Sequence, residues 1–191
     1  MIQVFKIKLM LTIFCFSTLF LFGCSSQPLA TAKFKSNYNF STIKSYSTYS
    51  RNSAFGDSQN ISYATRNNIE TAIEQGFDSK GLMYQTNDKA DVIIGYHLIH
   101  NIQDFKKYNQ GIKYCDPCLH SGLAVKDKKT WQLVPGSLVL DVVEQKDKRS
   151  VWRSVYPLKI KPKDNSREVQ EKIQQAIAYM MNTLPLNLTS L

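Results

Sequence analysis

The sequence predicts an α+β domain, a mainly antiparallel sheet of four to five strands with two helices packed on one face. Three observations predict it. Segments 61–80 and 165–184 repeat apolar residues at the helical period. Several shorter stretches alternate at the strand period of two. The two kinds do not take strict turns along the chain, as they would in a parallel β/α fold. With 191 residues, 43% of them apolar, the chain supports one core.

The elements follow in order. Ala32, Phe34 and Ser36 alternate with Lys33 and Lys35, and Lys44 to Tyr49 is rich in Tyr, Ser and Thr, giving two short strands or one broken strand. Residues 51–60 are polar, with Gly56 and Asp57, and read as a loop. Ile69, Ala72, Ile73, Gly76 and Phe77 then fall on one helical face, and Gly81 stands where a helix closes through positive φ. In Ala90 to Asn101 both alternating sets are largely apolar, which marks a central strand. Residues 102–135 read as a long, polar, irregular stretch holding Cys115, Pro117 and Cys118. Ser137 to Glu144 and Ser150 to Ile160 flank a charged turn and form a hairpin. The final helix carries Val169, Ile173, Ala176, Ile177, Met180 and Leu184 on one face. Asn165 and Glu168 are placed for a capping box, and Pro185 ends the helix.

Ahead of this domain, residues 1–23 hold half of the ten Phe and no acidic residue. Lys6 and Lys8 precede an apolar run from Leu9 to Phe22 that ends in Gly23-Cys24-Ser25-Ser26, the three-part pattern of a signal peptide. As a helix the run covers about 21 Å, short of a hydrocarbon core of about 30 Å. Leu21-Phe22-Gly23-Cys24 resembles the lipobox of bacterial lipoproteins, although Phe22 is larger than the residue usual there. The resemblance implies cleavage before Cys24 and a lipid thioether on its sulfur, with plain secretion or a retained anchor as the alternative. Residues 24–32 would then be the lipidated Cys and a tether, and 33–188 the folded domain. Ser25 follows the Cys where an Asp would hold an enterobacterial lipoprotein at the inner membrane. The class therefore implies the outer membrane, with the domain facing the periplasm.

Several strings are similar to the bacterial lipoprotein family catalogued as domain of unknown function 4136. They are Tyr38-Asn39-Phe40 with Lys44-Ser45-Tyr46, Lys80-Gly81-Leu82 with Lys89-Ala90-Asp91-Val92, Gly136-Ser137-Leu138-Val139-Leu140-Asp141-Val142, and Val151-Trp152-Arg153. They span about 38–184. The resemblance brings no catalytic residue with it, and the Cys pair at 115 and 118 is not part of its pattern.

Cys115-Asp116-Pro117-Cys118 is the most reactive-looking motif. With Cys15 removed with the signal and Cys24 lipidated, these are the remaining thiols, in a compartment that oxidises them, and a local disulfide is the first expectation. A zinc site would use Cys115, Cys118 and His120 with a fourth ligand from His97 or His100. Those two histidines, three apart on a strand, point to opposite faces. A redox pair would want the first Cys at a helix start, and Leu119-His120-Ser121-Gly122 is a poor one. Asp91 reads as a strand-start residue and Asp141 as a sheet-edge or salt-bridge residue. Trp152 reads as core, and Arg153 as solvated or paired. No phosphate loop, nucleophile elbow or His-Glu-x-x-His helix is present in the sequence.

With a formal net charge of +9, basic residues gather at Lys126 to Lys129, at Lys146, Lys148 and Arg149, and at Lys159, Lys161 and Lys163. In the periplasm nucleic acid is excluded as a partner, and an anionic envelope component or an envelope protein is expected instead. The expectation is a non-catalytic binding or envelope-structural lipoprotein without a cofactor, held to the membrane through Cys24. The alternative is a metal-binding or redox lipoprotein built on Cys115 and Cys118.

Overall fold

A computed structural model describes residues 30–49, 61–121 and 134–186 of the chain. Its strands are β1 (Thr31–Phe34), β2 (Ser45–Thr48), β3 (Met83–Tyr84), β4 (Val92–Leu98), β5 (His120–Ser121), β6 (Ser137–Glu144) and β7 (Arg149–Pro157). Its α-helices are α1 (Tyr63–Asp78), α2 (Ile102–Gly111) and α3 (Ser166–Met181). The strands form one seven-stranded sheet in the order β3-β2-β4-β6-β7-β1-β5.

The α+β class holds, and three details of the expected architecture are corrected. The sheet has seven strands among the described residues, because two-residue strands at both edges carry too little sequence to show a period. It is mixed: β2 runs parallel to both β3 and β4. The chain leaves β2 and returns through α1, and such a helical crossover brings a strand back parallel. The third correction is α2, which falls where an irregular stretch was expected. Asn101 caps it, its side chain accepting from the Gln103 and Asp104 amides, and Phe105, Tyr108 and Ile112 are buried at i, i+3 and i+7. Lys, Gln and Asn fill the positions between them and mask that period.

The long helices behave as their sequences foretell. The Asn165 side chain accepts from the Arg167 and Glu168 amides while Glu168 accepts from the Asn165 amide at 2.8 Å, which completes the capping box. Gly81 sits at φ +75° after α1. The helices α1 and α3 pack on one face of the sheet over Val92, Ile94, Leu138, Leu140, Val142 and Trp152. On the opposite face Ile93, Ile99, Val139, Val143 and Val155 meet Phe105, Tyr108 and Ile112. β4 is buried along its whole length, as a central strand should be. β1 begins at Thr31, ahead of Lys33, and Ala30 and Ala32 are both buried.

Candidate functional site

The most elaborate polar arrangement of the described residues lies between the sheet and α2. Asp141 and Arg153 stand directly opposite each other on β6 and β7, each 0% exposed. Alternation along β6 puts Asp141 on the same face as Val139 and Val143, so a carboxylate enters an apolar layer. Arg153 meets it side-on: Nε donates to Oδ1 at 2.9 Å and Nη2 to Oδ2 at 3.0 Å. Ser150 Oγ donates to Oδ1 at 2.6 Å and Tyr108 Oη to Oδ2 at 2.8 Å. Both carboxylate oxygens are thereby satisfied, which a buried charge requires.

A β-bulge brings Ser150 into the group. Val142 pairs with Trp152 but Val143 pairs with Ser150, so Val151 is the extra residue. Simple alternation would put Ser150 beside Trp152 on the helix face. The bulge turns it toward Asp141 and sends Val151 into the α1/α3 core. Gly95, opposite Asp141 on β4, makes room for the Tyr108 hydroxyl, since a Cβ there would lie 2.8 Å from it.

Aromatic rings close the site. The Arg153 guanidinium lies 3.5 Å from the Tyr114 ring centroid and 5.5 Å from that of Phe105. His97 stacks on Tyr108 with centroids 4.9 Å apart. Burial works against the Arg153 charge, but the Asp141 carboxylate outweighs it and the pKa rises. Burial, followed by Asp141, pushes the Tyr108 hydroxyl well up. Burial carries His97 down to about 4, with Asp104 pulling the other way. Neither His97 nitrogen has a hydrogen-bond partner among the described residues, and neither does Arg153 Nη1.

The Cys115–Cys118 segment forms the outer wall. Its sulfurs lie at disulfide distance, with the Cα atoms 5.3 Å apart. Between them Asp116 accepts from Lys33 Nζ at 2.6 Å and from Tyr114 Oη at 2.7 Å, which holds Tyr114 over Arg153. Sulfurs joined to each other offer no thiolate to zinc, which removes two of the three ligands in the set Cys115, Cys118 and His120. No group of three or more His, Cys, Asp or Glu able to hold a metal ion occurs among the described residues. His97 is buried under α2, whereas His100 is exposed and His120 pairs with Phe34 on β1.

Asp91 is a clamp at the start of β4, its Oδ2 accepting from the Lys44 and Ser45 amides at 2.9 and 2.8 Å and from Ser45 Oγ. The Lys44 amide bond leads the effects that hold its pKa below the usual carboxylate range. Asp141 is a salt-bridge residue on an inner strand rather than at an edge, and Arg153 is paired. Trp152 is core, its Nε1 donating to the Thr183 carbonyl at 3.2 Å. Lys146, Lys148 and Arg149 are exposed on the β6–β7 turn, beside Lys113, whose Nζ donates to the Asp147 carbonyl. Cys24 and Lys126 to Lys129 lie outside the described residues. The sequence reading missed Gly95, Tyr108, Tyr114 and Ser150 as members of the site. Asn101 and Asp104, three apart ahead of Phe105 and Tyr108, were the signal for α2.

Surface hollows among the described residues include the following two. One of about 360 Å³ is lined by Ser47, Tyr49, Glu70, Tyr84, Thr86 and Asn87. The other, about 250 Å³, lies between α1 and α3 over Gly76.

The family model for a domain of unknown function, DUF4136, matches residues 30–186, the span of this fold. The chain belongs to the DUF4136 family. The crystal structure of a DUF4136 family protein from Bacteroides thetaiotaomicron is similar at a TM-score of 0.53 and 15% identity, over 83% of this chain and 100% of that one. A PDZ domain protein from Parabacteroides distasonis aligns at a TM-score of 0.47 and 14% identity, over 85% of this chain and 36% of that one. Among curated proteins no sequence matches the chain significantly. The DUF4136 fold here unites the strings that first suggested the family. Lys44-Ser45 is clamped by Asp91, and Asp141 is paired with Arg153.

Proposed function

We propose that this DUF4136 protein is a lipoprotein anchored through Cys24 to the outer membrane, facing the periplasm, and that it acts by binding rather than by catalysis. The observation that carries the reading is the Leu21-Phe22-Gly23-Cys24 tetrad, followed only seven residues later by β1. An anchor at Cys24 would keep the start of β1 within about 25 Å of the membrane, the span of seven extended residues. Up to three acyl chains at about 0.8 kcal/mol per buried methylene would make that attachment stable.

The binding part of the reading rests on how the polar groups are used. The Asp141 carboxylate is taken up by Arg153, Ser150 and Tyr108 inside the core, and Asp91 is occupied by backbone amides. The exposed Lys146, Lys148 and Arg149 turn sits on a rigid hairpin, the kind of support on which a binding loop can vary without harming a core. Its positive charge suits an acidic envelope partner.

The anchor is tested by inhibiting the lipoprotein signal peptidase in intact cells. A longer membrane-held precursor is expected, together with an acylated Cys24 peptide from untreated cells. A Cys24→Ser chain that yields the same membrane-bound mature protein would overturn the lipobox reading. Crosslinking from the same cells, with the basic turn intact and neutralised, tests the binding surface.

A further inference from the structure

We infer that the end of the sheet from which the tether departs is itself a membrane-contacting face, seating exposed apolar side chains against an anionic phospholipid leaflet. The inference rests on the anchor at Cys24.

The topology brings three separate segments to that end. β1 enters the sheet with Thr31 opposite Val155, close to the end of β7. β6 begins there, with Ser137 opposite Pro157, and β4 ends there, with Leu98 opposite Leu138. Backbone bonds tie the flanking segments together. The Gly136 amide donates to the Ile99 carbonyl at 2.7 Å, and the Leu158 amide to the Gly136 carbonyl at 3.1 Å. The segments after β4, before β6 and after β7 each present an exposed aliphatic residue: Ile102 at 61%, Val134 at 41% and Ile160 at 37%. Among the described residues, three of the six exposed large apolar side chains thus come from far-apart stretches of sequence to one end of the fold.

The charge around them has the matching sign. Lys159, Lys161 and Lys163 alternate with Ile160 and Pro162, all exposed, and no acidic residue interrupts them. The carboxylates next to these residues in the chain are engaged: Asp164 by the Lys161 amide and Lys172, Asp104 by the Asn101 side chain at 2.6 Å. Lysines interleaved with aliphatic residues suit the headgroup boundary, where the ammonium groups meet phosphate while the aliphatic groups leave water.

Tether length selects this end over its opposite. The seven-residue link reaches about 25 Å at full stretch. The Lys146, Lys148 and Arg149 turn lies a further strand length away, about 30 Å for the nine residues of β7. Surface potential decays over about 8 Å at physiological salt, so that turn is left free to meet a partner. No described helix is long and apolar enough to cross a membrane, so this face would lie on the leaflet rather than enter it.

The test uses the full processed protein in vesicles of phosphatidylethanolamine with phosphatidylglycerol, compared with phosphatidylcholine vesicles and detergent. Hydrogen exchange is read segment by segment, with flotation and the mass of the Cys24 peptide recorded in parallel. On anionic vesicles the amides of 100–102, 159–161 and 163 are expected to exchange roughly tenfold more slowly, and those of 146–149 unchanged. The combined variant Ile102→Ser, Ile160→Ser, Lys159→Glu, Lys161→Glu and Lys163→Glu should lose that protection while still floating. An acylated protein that floats without protection at this end, or with protection at 146–149, overturns the inference and leaves the anchor standing. A chain without acyl groups that shows salt-sensitive protection of these segments overturns the anchor reading alone. A chain that neither carries acyl groups nor binds overturns both.

Discussion

Toward α1 and α3, strands β4, β6 and β7 present Val92, Ile94, Leu138, Leu140, Val142 and Trp152. Toward α2 the same strands present Ile93, Val139 and Val155 interleaved with His97, Asp141, Ser150 and Arg153. The first face is held by area, which is non-directional and tolerates adjustment. The second is held by a smaller apolar cluster, with Phe105, Tyr108 and Ile112 inside it, and by the Tyr108–Asp141 hydrogen bond to a helix of only ten residues, shorter than a helix that persists alone. Tyr108 is the link, because its hydroxyl fixes where α2 lies relative to Asp141. A short helix with a small apolar cluster thus has its position fixed further by a polar contact, whereas the two long helices pack through apolar residues.

The sharpest way to break the contrast is to remove one member of the buried pair. Asp141→Leu leaves the Arg153 charge without its carboxylate and should cost about 3–5 kcal/mol in urea denaturation. Adding Arg153→Met should recover part of the loss, because it removes the uncompensated guanidinium while the Tyr108 and Ser150 hydroxyls still lack the carboxylate they donated to. Trp152→Ala on the other face, at a similar single cost, should show no comparable rescue by truncating Ile177.

Acid sharpens it next. Unfolded, His97 takes a proton near pH 6.5; folded, only near 4. Stability from its neutral burial is complete above pH 6.5 and declines as pH falls toward 4, a loss on the order of 3 kcal/mol at most. His97→Phe should keep the stacking on Tyr108 and flatten the denaturation midpoint between pH 6.5 and 5. Asp91, whose pKa is lowered, keeps its contribution above its ordinary value near 3.8. It loses that contribution only as pH falls through the lower folded value, so it leaves this window untouched.

Two glycines compare the faces directly. A Cβ on Gly95 would meet the Tyr108 hydroxyl at 2.8 Å, and Gly95→Ala should cost about 1–3 kcal/mol by displacing its bond to Asp141. At Gly76 the nearest atom is the flexible Met181 Cγ at 3.2 Å. Gly76→Ala should change stability by less than about 1 kcal/mol, because helix propensity offsets the crowding. The smallest effect belongs to neither face. Replacing Lys146, Lys148 and Arg149 together should leave the thermal midpoint nearly unchanged while reducing capture of an acidic partner, and unchanged capture would exclude the turn.

The elements that sequence determined are those whose own residues carry a complete local pattern. α1, with its glycine exit, the doubly apolar β4, the β6–β7 hairpin and the α3 capping box are each specified within about 20 residues, because helix and strand periods are local quantities. Trp152 as core and Asp91 at a strand start were legible for the same reason. Sequence could pose Asp141 and Arg153 only as charges needing partners. Tertiary structure decided that they face each other, since their pairing depends on a register and a one-residue bulge at Val151. It also decided the parallel entry of β2, the two-residue edge strands, and the seating of α2 through Phe105, Tyr108 and Ile112. The convergence of Ile102, Val134 and Ile160 at one end belongs with them. Each joins residues tens of positions apart, and such contacts are selected by what the assembled sheet leaves unburied or unpaired, which no local period records.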